Sequence, residues 1–121
     1  MKNPKFRELT TKVGTVVLAG KDAKSNEALI NQVEDNEEVF HTAAPGSPFV
    51  NIKGKAKKSD IEEAATFCAK YSREWKKNKS DVIIHRFKGK DIHKRKGMKL
   101  GTFGVKTFKI IKVKKKDIEN A

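Results

Sequence analysis

The chain has 121 residues and a mass of 13.6 kDa, room for one domain around one hydrophobic core. With a single cysteine, Cys68, and no apolar run near the roughly 18 residues that span a bilayer, a disulfide framework, a Cys-rich zinc site and a transmembrane helix are excluded. Against 15 Asp and Glu stand 28 Lys and Arg, a formal net charge of +13, which makes a polyanion the natural partner. The excess is uneven: residues 1–52 carry 6 basic and 7 acidic side chains, residues 53–121 carry 22 and 8.

Residues Phe6 to Thr11 and the β-branched run Thr15 to Ala19 read as a hairpin around Lys12-Val13-Gly14, with Gly14 free to take a positive φ. A short helix is predicted from about Asn26 to Gln32, capped by Asn26 or Ser25, with Ala28, Leu29 and Val33 on one side. Glu34 to Glu38 reads as a solvated acidic loop leading into a strand Val39-Phe40-His41. The turn Ala43 to Pro48, with two prolines and a glycine, precedes a strand Phe49 to Ile52, and the basic stretch Lys53 to Lys58 is a loop.

The best-specified element comes next. Ser59-Asp60-Ile61-Glu62 fits a capping box, and a helix is predicted from about Asp60 to Lys77. Ile61, Ala64, Ala65, Cys68, Tyr71 or Ser72, and Trp75 recur at three- and four-residue steps and form its sheet-facing side. Acids in the first turn and Arg73, Lys76 and Lys77 in the last complement the helix dipole.

Asp81 to Phe87 reads as a central or helix-covered strand, Lys88 to Lys99 as a loop, and Val105 to Lys114 as a final strand. In that last strand Phe108 and Ile110 share one face and Ile111 and Val113 the other, a change of phase that a bulge near Ile110 would explain. The expectation is one α+β domain over residues 1–121 with a mainly antiparallel sheet, one long and one short helix, a core from about 6 to 114 and a frayed tail from 115 to 121.

Six basic residues, Lys88, Lys90, Lys94, Arg95, Lys96 and Lys99, crowd the stretch from Lys88 to Lys99 with only Asp91 against them. With Gly89 and Gly97 letting backbone amides approach closely, this density points to phosphate binding. Phe103, set in Gly101-Thr102-Phe103-Gly104, is placed either to stack on a base or to pack in the core; the remaining aromatics, Phe108 among them, sit in core patterns. His41, His85 and His93 match no metal-ligand spacing, Ser47 lacks a nucleophile-elbow context, and no carboxylate pair suited to acid–base work is evident. The sequence describes a binder with no cofactor, not an enzyme.

Phe40-His41, then Pro45-Gly46-Ser47 and the strand Phe49-Val50-Asn51-Ile52, an alanine-rich helix ending in Tyr71-Ser72, and Lys96-Gly97-Met98-Lys99-Leu100-Gly101 before Lys106-Thr107 follow one another in an order that resembles the NFACT-R family. Val17 to Asn26 is similar to the family's first strand and helix entry, so the resemblance covers about residues 6 to 114. It implies an RNA-binding module of the kind found at the C-terminus of large proteins that bind tRNA on the large ribosomal subunit during rescue of stalled translation. Family members commonly carry an acid before the Pro-Gly turn and a histidine after the serine. Alanines 43 and 44 and Pro48 here resemble the free-standing branch instead. The coiled coil and N-terminal domains of the large proteins are absent from this sequence, so tail synthesis is not implied.

The resulting expectation is a cytoplasmic module, monomeric, that recognises structured RNA, tRNA or ribosomal RNA, by shape and phosphate spacing. Its RNA-binding surface is expected to join His41, Pro45, Gly46, Ser47, Lys53, Lys55, Arg86, Lys88, Lys90, Lys94, Arg95, Lys96, Gly97, Lys99, Gly101, Phe103 and Lys106 on a single side. The alternative is an adaptor whose basic face docks an acidic protein such as a tRNA-modifying or ribosome-linked enzyme.

Overall fold

Thr11 closes the first hairpin: its N–H donates to the Thr15 carbonyl and its carbonyl accepts from Gly14, whose φ of 90° is open to glycine at little steric cost. The computed structural model describes residues 6–44 and 47–121; Pro45 and Gly46 of the expected surface lie outside the described residues. The hairpin strands β1 (Arg7–Thr10) and β2 (Val16–Ala19) open a six-stranded sheet completed by β3 (Glu38–Thr42), β4 (Val50–Ile52), β5 (Val82–Lys88) and β8 (Lys109–Val113), in the order β1-β2-β4-β3-β5-β8. Every pairing described is antiparallel.

Alternation along the strands sorts side chains to two faces. Val17, Ala19, Phe40, Val50, Ile52, Val82, Ile84 and Val113 meet the helices α2 (Lys58–Lys70) and α3 (Arg73–Asn78) and form the main core. The contact side of α2 is Ala64, Ala65, Cys68 and Ala69, small residues that let the helix sit close to the sheet. The expected single helix is two. Ser72 donates to the Ala69 carbonyl at 2.7 Å and accepts from the Trp75 N–H at 3.1 Å, ending one helix and capping the next so that Trp75 turns inward.

The start of α2 also departs from expectation. Asp60, not Glu62, reaches back to the Lys57 N–H at 3.0 Å, because its carboxylate is also held by the hydroxyls of Thr11 at 2.7 Å and Thr15 at 2.9 Å. These contacts fix α2 to the first hairpin, and they hold Asp60 below the usual carboxylate range, the Lys57 N–H foremost.

On the other face, Val39, Phe49 and Phe87 pack with Phe6 and Leu29 of α1 (Ala23–Asn31). Asp22 caps α1 by accepting from the Ser25 N–H at 2.8 Å, so the helix begins before the expected Asn26 cap. Asn26 serves the sheet instead, accepting from the Phe49 N–H at 3.0 Å. The acidic loop is not fully solvated. Glu37 and Glu38 are buried: Glu37 holds Lys53 at 2.8 Å and the Gly54 N–H, and Glu38 grips Arg86 with two bonds of 2.9 and 3.2 Å.

Three further corrections concern the C-terminal third. The stretch expected as one loop contains a 3-10 turn, Gly89–Asp91, and strand β6 (Ile92–His93), which pairs with β7 (Gly104–Val105) as a small arm beside the sheet. No bulge interrupts β8: the register from Arg86↔Lys109 to Val82↔Val113 is continuous, and the strand simply carries apolar residues on both faces. Residues 115–121 do not fray, because Lys115–Glu119 form α4, whose Ile118 is buried in the main core.

Candidate nucleic-acid interface

The arm and α1 cover only part of their face of the sheet. What they leave open is a groove of about 880 Å³, floored by strand residues of β3 and β5 and walled by the loop from Leu100 to Phe103 and by α3. His41 and His85 are direct cross-strand partners and lie side by side on this face. Each imidazole stacks on a phenylalanine: His41 on Phe49 with centroids 4.2 Å apart and planes 25° apart, His85 on Phe108 at 3.9 Å and 17°. Burial holds both histidines below the usual range, in His41 against the raising effect of hydrogen bonds with the Thr42 and Ser47 backbone.

The groove wall formed by residues 94–102 is built from two successive turns. The Met98 N–H donates to the Arg95 carbonyl and the Thr102 N–H to the Lys99 carbonyl, with Gly97 (φ 92°) and Gly101 (φ 80°) third in each turn, the conformation a type II turn demands there. Gly101 also presses on α1: a Cβ would lie 2.8 Å from the Ala23 backbone. Its N–H donates to Glu27 at 2.7 Å, and Lys94 donates to the same carboxylate at 3.0 Å and to the Lys99 and Thr102 carbonyls. Lys94 also lies 4.7 Å from the Phe103 ring centre, and Phe103 packs edge-on against Phe49. Phe103 is thus a half-buried wall rather than a free stacking ring.

The expected surface divides in two. His41, Ser47, Gly101 and Phe103 line the groove, with Lys94, Arg95, Lys96, Gly97 and Lys99 in the adjoining loop. Lys53, Lys55, Arg86, Lys88 and Lys90 lie toward the other end of the sheet, where β3 begins and β4 and β5 end, and Lys106 joins them by donating its N–H to the Asp91 carbonyl. Arg86 points to the sheet face opposite His41, one residue out of phase with His85. Lys53 is paired with Glu37 at 2.8 Å, Arg86 and Lys88 with Glu38 at 2.9 and 3.8 Å. A single continuous surface of these residues does not form.

Several groove residues escaped the sequence reading, among them His85, Arg73, Lys76 and Phe108. Arg73 and Lys76 had a sufficient local explanation as helix-end cations, yet the separate short helix α3 places them on the groove rim. Phe108, read as core, is 45% exposed. The phase change of the last strand was its signal: Phe108 and Ile110 face the uncovered side while Ile111 and Val113 face α2.

An α+β domain with a ring-lined, cation-rimmed groove on the uncovered part of an antiparallel sheet belongs to the class of binding modules. The sequence matches the family described as the NFACT protein RNA binding domain over residues 5–107, and the chain belongs to that family. It is 43% identical over 67 residues to the archaeal Rqc2 homolog aRqcH of Methanocaldococcus jannaschii, a match spanning 52% of this chain and 10% of that protein. Its fold is similar to the C-terminal part of the fibronectin/fibrinogen-binding protein from Streptococcus suis, with a TM-score of 0.84 at 22% identity, covering 99% of this chain and 50% of that one. Among the described residues no helix is long and apolar enough to cross a membrane.

Proposed function

We propose that this domain binds structured RNA, tRNA or large-subunit ribosomal RNA, as a cytoplasmic binding module of ribosome-associated quality control. The observation that carries this reading is the gathering of unpaired cations around one groove. Among the described residues, Arg73 and Lys76 on the rim and Arg95, Lys96 and Lys99 on the adjoining loop are exposed and make no ion pair, whereas at the other end of the sheet Lys53, Arg86 and Lys88 are tied to Glu37 and Glu38. Exposed cations of this kind exchange condensed counterions for phosphates and fix register without reading sequence. The family assignment supports RNA as the polyanion, and the likeness to an archaeal Rqc2 homolog supports the placement in ribosome-associated quality control. Crosslinking in cells followed by sequencing of the attached RNA tests it: tRNA or large-subunit ribosomal RNA is the expected product. Recovery of an acidic protein in place of RNA would favour an adaptor role and contradict this one.

A further inference from the structure

The groove has features that the phosphate contacts of a duplex do not use. It is concave, of the size of small-ligand sites, and its floor is two neighbouring aromatic stacks rather than a flat basic surface. A paired base in a duplex is stacked on its neighbours and edge-on to the outside, so its ring face cannot enter such a depression; an unpaired one can. Phe108 lines the groove, has one face covered by His85 and remains 45% exposed. Beside it, His85 offers an imidazole edge able to hydrogen-bond a base, while His41 is already held by the Thr42 and Ser47 backbone. Arg73 and Lys76 supply positive charge on the rim, and Asp22, the one carboxylate among the described lining residues, is engaged in capping α1.

Resting on the RNA-binding reading above, we infer that the groove takes a single unpaired nucleotide of the bound RNA, with its base stacked on Phe108 and its phosphate against Arg73 and Lys76. Stacking on a ring face tolerates any base, so the preference is for an unpaired end or a looped-out position rather than for a sequence. The platform is already stacked on its supporting imidazole, so little side-chain freedom is lost when the base arrives.

The test uses the full chain and a short single-stranded oligoribonucleotide carrying 2-aminopurine, whose emission falls when it stacks, beside tRNA titrated by fluorescence anisotropy. Wild-type protein is expected to quench the reporter base. Phe108→Ala is expected to weaken oligonucleotide binding about tenfold and to abolish the quench, and Phe108→Tyr to restore it. Phe108 is exposed, so the alanine variant keeps the fold, and circular dichroism checks that it does. An equal quench with Phe108→Ala, or none with the wild type, overturns the inference. If tRNA still binds in either case, the RNA-binding reading survives without it; if the wild type binds no tRNA, that reading falls as well.

Discussion

Lys94 and Glu27 form an ion pair of 3.0 Å across 67 positions of the chain, and it converts the most basic stretch of the sequence from a loose loop into a groove wall. Glu27 also accepts from the Gly101 N–H, so one carboxylate on α1 holds both ends of the double turn. Replacing Glu27 with alanine is expected to free the wall while leaving the sheet and α2 intact. Charged hydrogen bonds are worth about 1.5 to 3 kcal/mol when shielded and less when solvent reaches them. Amide exchange over residues 94–102 is therefore expected to quicken by about tenfold, as read by hydrogen-exchange mass spectrometry.

The same pair gives a pH dependence. The Gly101 N–H, and then Lys94, hold Glu27 below its ordinary value of 4.5. A carboxylate whose folded value is lowered contributes fully above the ordinary value and loses its contribution as the pH falls through the lowered one. Protection of the Gly101 amide is expected to persist from neutral pH down through 4.5 and to fade only below it, which exchange rates corrected for intrinsic pH effects will show. Fading that begins near pH 6 would contradict the assignment.

Gly97 and Gly101 occupy the same position in their two turns, but their surroundings differ. Both have a positive φ that costs a side-chain-bearing residue about 1 kcal/mol. A Cβ at Gly97 meets nothing within 4 Å, whereas one at Gly101 lies 2.8 Å from the Ala23 backbone. Gly101→Ala is expected to lower stability by roughly 1 kcal/mol or more beyond Gly97→Ala, measured as the difference in denaturant midpoint.

Ile118 anchors α4 against the main core with 2% of its surface exposed. Its replacement by alanine is expected to cost about 2 to 4 kcal/mol in urea unfolding. A cost near zero would mean that the last seven residues contribute nothing to the fold.

Much of the architecture was legible in the sequence because local preferences and tertiary packing agree there. The hairpin around Gly14, the strand Val50–Ile52 and the small-residue side of α2 follow from turn chemistry and apolar spacing alone. The errors fall where a distant partner decides. Ser59 and Glu62 satisfy the local rule for a cap, but Thr11 and Thr15, more than forty positions away, make Asp60 the capping carboxylate. Glu37 and Glu38 look solvated until Lys53 and Arg86 arrive from other strands. Ile118 has too short a segment around it to show periodicity, and only its place beside α2 makes a helix there stable. Among site residues, charge density pointed to the loop but could not tell the committed Lys94 from the free Arg95, Lys96 and Lys99.

That distinction is the direct test of the central claim. Substituting Arg95, Lys96 and Lys99 together with glutamate spares the clamp on Glu27 and removes three unpaired cations beside the groove. The logarithm of the tRNA association constant, measured against the logarithm of salt concentration, is expected to fall with a slope shallower than that of the wild type by about 2 to 3, at roughly 0.7 to 0.9 per phosphate contact. Equal slopes and equal affinities in the two proteins would show that RNA does not engage this side of the molecule.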